Sequence, residues 1–291
     1  MLKEISIEII RKCPNNCLHC SSFSNKNCSE IIPYELFKKV VSGAKNLGLK
    51  TVCFSGGEPF LHPDIIEMIE YVYDIGLDSY VYSSGIYMDK DDIRGPIPQQ
   101  IFDRISNKVT KIIYNIEATQ KETYDIIMGT HGCFEFLKES IRRTTEAGVV
   151  AEGHFVPNRL NQNQIEETLQ FCIGLGVSKV SFLRLVNHGR ARENSDKLLL
   201  SNEQIEDIKC KLVKILNENK YSIRIGVPLL GETEECHCEA ANGKLNIRYD
   251  GKVFPCEVFK NNGVEPLSDC EPDNIYAVSY THLRAHETCA D

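Results

Sequence analysis

Residues 12–20 read KCPNNCLHC, and eight residues later another cysteine follows in SSFSNKNC. Cys13, Cys17, Cys20 and Cys28 thus fall within 16 positions. Such a group suits a disulfide, a zinc ion, or a centre that takes three thiolates and leaves the fourth aside. Upstream, Ile5, Ile7 and Ile9 alternate with Ser6 and Glu8, the period-2 pattern of a strand. This N-terminus has neither the apolar core nor the cleavage site of a secretory signal, and no apolar run approaches the roughly 18 residues of a membrane span. The 13 cysteines of the 291 residues are therefore read as reduced thiols, partly metal-bound, in a cytoplasmic protein. Hydrophobic content of 42% and charged content of 25% are those of an ordinary soluble chain. A net charge of -8 argues against a general nucleic-acid or membrane-surface binder and leaves room for a local basic pocket.

Outward from the cysteines, strand and helix alternate. Strands are expected at 5–10, 51–55, 79–83, 111–116, 149–156 and 180–186. Helices are expected at 33–47, 64–75, 98–105, 134–147, 162–175 and 201–218, with proline near several starts, glycine past several ends and Ser201 as an N-cap. Six β-then-α units in a row predict an α/β fold with a parallel sheet, open or closed. In such sheets chemistry sits at the carboxyl ends of the strands. The cysteine group follows the first strand, SGGEP follows the second, and YSSG ends the third, so all three fall on one rim.

Cys13-x3-Cys17-x2-Cys20 places three thiolates on one short loop. Structural zinc wants four ligands, and Cys28 would have to complete such a knuckle. Three thiolates on a cubane [4Fe–4S] cluster leave one iron without a protein ligand, free to bind a substrate or chelating cofactor.

This pattern, with His19 before the last cysteine and GGEP after the second strand, resembles the radical S-adenosylmethionine (SAM) superfamily. The resemblance runs from Ile5 to about Val186 and implies a partial (β/α)6 TIM-like barrel. It implies Cys13, Cys17 and Cys20 as ligands of a [4Fe–4S] cluster whose fourth iron binds the amino and carboxylate groups of SAM. Gly56 and Gly57 would let the backbone approach that amino group, and Glu58 would orient it or brace the loop. His19 and Val186 would lie near the adenine. Ser83 and Ser84 occupy the place of a frequent Thr-Asn-Gly, and Asn115 that of a serine contacting SAM; each could instead close its strand end through its own backbone. Arg184 shares a face with Val186 on strand parity. Arg190 and Arg192 would touch an acidic group or belong to a solvated loop. Met128 stands where relatives often have an arginine. The reaction implied is reductive cleavage of SAM to a 5′-deoxyadenosyl radical, which removes hydrogen from substrate. The electron would come from a flavodoxin- or ferredoxin-type donor.

Cys238, Gly251 and Cys256, with GKVFPC, resemble the opening of a SPASM domain, an appendage that carries auxiliary clusters in many peptide-modifying relatives. Cys236, Cys238, Cys256 and Cys270 are the candidate auxiliary [4Fe–4S] ligands; zinc, or plain buried thiols, are the alternatives. A two-residue hairpin turn is expected at Asp250-Gly251. The domains expected are 1–220 for the barrel and 221–277 for a truncated SPASM-like region. The remainder, 278–291, resembles translated sequencing adapter and is read as an artefact tail. Cys53, Cys133, Cys172 and Cys210 lie in or beside apolar patterns and are expected in the core.

The SPASM-like opening favours a peptide or protein substrate, with small-molecule or cofactor biosynthesis as the alternative. Nucleotide-cyclising relatives place an arginine where Cys53 stands and a basic residue near Ala151, which disfavours that branch. A non-catalytic zinc- or cluster-binding protein is the reading from another class.

Overall fold

The computed structural model describes residues 2–231, 240, 242–260 and 266–269. Cys236, Cys238, Cys270 and the proposed tail lie outside these described residues.

Strand β1 (Glu4–Ile10) starts the chain, followed by α1 (Tyr34–Asn46), β2 (Thr51–Gly56), α2 (Ile65–Asp74) and β3 (Asp78–Ser83). A hairpin of β4 (Ile86–Met88) and β5 (Arg94–Pro96) then precedes α3 (Gln99–Ile105) and β6 (Lys111–Asn115). Next come α4 (Lys121–Met128), α5 (Phe134–Glu146), β7 (Val150–Phe155), α6 (Ile165–Gly174) and β8 (Lys179–Phe182). Two one-turn helices, α7 (Arg190–Glu193) and α8 (Ser195–Leu198), lead to the long α9 (Asn202–Glu218). Ser201 caps α9 in a reciprocal capping box with Gln204. The described chain closes with β9 (Ile223–Ile225), α10 (Val227–Leu230), β10 (Lys244–Ile247), β11 (Lys252–Phe254) and β12 (Ser268–Asp269).

Ten strands form one sheet in the order β12-β11-β10-β1-β2-β3-β6-β7-β8-β9. All pairings from β10 through β9 are parallel, and the sheet has two ends, as a partial barrel requires. Period-2 alternation separates its two faces. Ile5, Ile7 and Ile9 of β1, Phe54 of β2 and Val81 of β3 are fully buried in the main core. Phe37 of α1 stacks on Phe54 with ring centroids 5.6 Å apart and meets Tyr71 of α2 edge-on. The other face is polar: Glu4 and Ser6 of β1, Ser55 of β2, Tyr82 of β3, His154 of β7 and Arg224 of β9 line an interior cavity. Ion pairs Lys111–Glu152 (3.0 Å) and Lys244–Glu4 (3.3 Å) bridge neighbouring strands.

Several elements depart from the sequence expectation. The β4–β5 hairpin and α4 were not anticipated. β8 stops at Phe182 rather than running to Val186. The β10–β11 turn is longer than two residues: Arg248 and Lys252 bond across it, and Gly251 has φ +80°. That is a three-residue loop with glycine in the left-handed position. Cys53, Cys133 and Cys172 are buried, whereas Cys210 is exposed. On α9 the buried residues are Ile208, Leu212 and Ile215; Cys210, two residues from Ile208, falls on the opposite side of a 3.6-residue turn. No helix among the described residues is long and apolar enough to cross a membrane.

Phe54→Ala removes the ring on which α1 packs. It should destabilise the cluster-free protein by about 3–5 kcal/mol, read as a lower urea midpoint at unchanged slope.

Candidate active site

A cavity of about 510 Å³ opens where the strands end. The loop after β1 brings Cys13, Cys17, His19 and Cys20 to its wall. Gly56 and Gly57 come from the end of β2, Ser84 from that of β3, and Asn115 from that of β6. Arg184 and Val186 follow β8, and Cys256 follows β11. Leu183 and Leu185 line the cavity as well, because strand parity ceases once β8 has ended. Glu58, Ser83, Arg190, Arg192 and Cys28 are not part of the wall.

The cysteine loop is held from outside itself. Gly57 N donates to Ile10 O at 2.6 Å, and Glu58 N to Lys12 O at 2.9 Å. A Cβ on Gly57 would lie 2.1 Å from the Lys12 carbonyl oxygen, and one on Gly56 2.1 Å from that of Ile10. The closeness these glycines permit is thus first an approach to the cysteine loop. Asn16 N and Leu18 N donate to Met128 O and Ile127 O at the end of α4. Arg190 Nε donates to Cys17 O and its guanidinium also to Ser24 O, both at 2.8 Å, while Arg190 N donates to Cys20 O. Arg190 therefore clamps the loop, and Arg192 is exposed.

Glu58 is fully buried behind this loop. Ser83 Oγ donates to its Oε1 at 2.8 Å; Ser84 N and Oγ donate to Oε2 at 2.8 and 2.6 Å. Burial pushes its carboxyl up to about 7 against these donors. Sequence reasoning missed Glu117, just past β6 in YNIEA. It is 1% exposed, lines the cavity, and lies 3.5 Å from His19 Nε2. Desolvation raises its carboxyl to about 8 and lowers His19, also beside Arg190, to about 4. His19 Nδ1, Glu117 Oε1 and both side-chain polar atoms of Asn15 are buried in this wall with no hydrogen-bond partner among the described residues. A polar residue just past β6 could have flagged Glu117, and a polar residue inside the cysteine loop Asn15; their burial is a tertiary property.

A model of the radical SAM superfamily matches residues 7–172. The chain belongs to the radical SAM superfamily. It is 23% identical over 259 residues to the PqqA peptide cyclase of Bradyrhizobium diazoefficiens, covering 87% of this chain and 66% of that protein. It is 24% identical over 277 residues to a probable GTP 3′,8-cyclase of Saccharolobus islandicus, covering 91% of this chain and 86% of that one. The fold is similar to Streptococcus suis SuiB crystallised with S-adenosylmethionine, with TM-score 0.75 and 15% identity over 95% of this chain and 66% of SuiB. The chain thus spans 66% of the length of the Bradyrhizobium and Streptococcus proteins.

The residues present fit the superfamily's cluster and SAM. Among the described residues no three His, Cys, Asp or Glu side chains converge on a point suited to one metal ion. Three thiols on one cavity wall are the donor set a cubane takes, one to each of three irons. Burial pushes the Cys13 and Cys17 thiols up, and the charge of Cys17 adds to this at Cys13 as that of Cys20 does at Cys17. Such a group releases its protons only to a strong local positive charge, which ligated iron supplies. The unpartnered atoms of Asn15, His19 and Glu117 offer hydrogen bonds to a polar ligand beside them.

Between pH 4.5 and 8, folded Glu117 keeps a proton that the unfolded chain has lost, so its contribution to stability falls as pH rises through that window. Glu117→Gln should flatten the decline in urea stability of the cluster-free protein between pH 5 and 8. Equal slopes in the two proteins would count against this assignment.

Proposed function

We propose that this radical SAM enzyme modifies a peptide or protein, using a [4Fe–4S] cluster held by Cys13, Cys17 and Cys20. The observation that carries the cluster assignment is the placing of these three thiols on one cavity wall by a loop whose backbone is anchored from three sides. With cluster and SAM bound, the pair supplies a 5′-deoxyadenosyl radical that takes hydrogen from substrate. Gly56, Gly57, Ser84, Asn115 and Val186 border the space for SAM, with His19, Asn15 and Glu117 offering polar atoms. Glu58 acts behind the wall, holding the ends of β2 and β3 together. The polar inner face, including Tyr82, His154 and Arg224, is where substrate would meet the radical away from bulk water.

The peptide reading is supported by the SPASM-like run ending at Cys256, a cavity residue, and by the similarity to the PqqA peptide cyclase. On this reading Cys236, Cys238, Cys256 and Cys270 serve an auxiliary cluster, and the electron donor is a flavodoxin- or ferredoxin-type protein. A second reading, nucleotide cyclisation, is favoured by the breadth of the match to the probable GTP 3′,8-cyclase. Against it, Cys53 and Ala151 are buried, uncharged residues where that branch needs cations.

Anaerobic reconstitution with iron and sulfide should give a brown protein that, once reduced, converts SAM to 5′-deoxyadenosine. Cys17→Ala should lose both colour and turnover to background. Retention of either by this variant would sink the ligand assignment. GTP should leave SAM cleavage at its uncoupled rate, whereas a peptide from any short Cys-, Ser- or Thr-rich reading frame found beside the gene should raise it; a GTP-dependent rise would favour the nucleotide reading.

A further inference from the structure

The chain that follows β11 reaches back over β1. Ser6 Oγ donates to Glu257 Oε1 at 2.6 Å, and Arg248 donates to Lys260 O at 2.8 Å. Lys260 Nζ lies 3.4 Å from Glu8 Oε1, and the two side chains are 4% and 1% exposed. Lys260, Cys20, Cys256 and Glu257 all line the cavity. Glu8 and Glu257 are the carboxylates whose charge favours the Lys260 ammonium against burial.

Burying an ammonium is costly, and a turn that needed only to close over β1 would do as well with an apolar side chain. Glu8 does not use the pair fully, since its Oε2 has no partner among the described residues. What distinguishes this place is the cavity that Lys260 shares with Cys20, to which a cluster would bring negative charge. Three thiolates on a cubane make an anion, and one-electron reduction makes it more negative. In a site screened from water, a nearby fixed cation stabilises the reduced state more than the oxidised one. We propose that Lys260 is a positioning residue: anchored by Glu8, its buried positive charge on the cavity wall it shares with Cys20 sets how readily the cluster accepts its electron. The electron comes from an external low-potential donor, and Lys260 neither gains nor loses a proton in the step.

This rests on the cluster assignment above, and a parent protein that takes up no cluster would fail that assignment rather than this one. The test reconstitutes parent, Lys260→Gln and Lys260→Arg anaerobically. The cluster is titrated with dithionite in the presence of redox dyes and followed by electron paramagnetic resonance. Lys260→Gln should be about tenfold harder to reduce at a given potential, about 59 mV for one electron. Lys260→Arg should stay near the parent. A parent-like potential in Lys260→Gln overturns the proposal. Should Lys260→Gln fail to take up the cluster, urea unfolding of the cluster-free proteins decides. A parent-like midpoint, with the cluster retained in Lys260→Arg, supports a need for charge at the site. Loss of the cluster or the fold in both variants overturns the proposal and makes Lys260 a packing residue.

Discussion

The site depends on one buried carboxyl. Glu58 accepts hydrogen bonds from Ser83 and Ser84 at the end of β3, while its own N–H donates to the Lys12 carbonyl beside Cys13. A single residue thus joins three successive strand ends at the rim. Its burial is tolerable because every contact is a hydrogen bond to a fixed partner, and removing one partner would leave polar atoms unpaired without water to replace it. The glycines before it serve the same junction, since a side chain at either would collide with carbonyl oxygens of Ile10 or Lys12.

The opposite need is met by Arg190. A loop that turns three sulfurs toward one cavity cannot also satisfy its carbonyls in a ladder, so the donors must come from elsewhere. Arg190 supplies them to Cys17 and Ser24, and its backbone N–H to Cys20, from 166 to 173 residues away in sequence for the side-chain bonds. Gly189 lets this segment come close, for a Cβ there would lie 2.5 Å from the Cys20 carbonyl oxygen. The sixth βα unit therefore bears on the cysteine loop directly, through α7, and the first and sixth units position one another.

What could be read from the residues was what is local. Period-2 and 3.6-residue patterns, broken by proline and glycine, give six parallel strands in their observed order. Cysteine spacing singled out the triplet because Cys13, Cys17 and Cys20 lie within eight residues. The hidden part was long-range. Nothing near Arg190 says that its guanidinium turns inward to the loop, and a charged turn is ordinarily solvated. Glu117 looks like any acid after a strand until its surroundings bury it. Cys210 shows the same limit in reverse: it lies between the apolar positions Ile208 and Leu212, but helix geometry puts the thiol outside. The Asp-Gly turn was legible as a turn but not in length, because Arg248–Lys252 pairing adds a residue to the loop.

The strand β10 changes the mechanical setting of the cysteines. Without it β1 would be an edge, and the loop would spring from a strand fixed on one side only. With Ile5 opposite Leu245 and Ile7 opposite Ile247, β1 is paired on both sides, to β2 and to β10. The same pairing directs the β11 hairpin and the chain beyond it toward the polar face of β1, where Ser6 and Glu8 wait at period-2 spacing. Alternation along one short strand thus does two jobs. Ile5, Ile7 and Ile9 fasten it to the helical layer, and the polar positions between them bring Glu257 and Lys260 to the cavity that the thiols line.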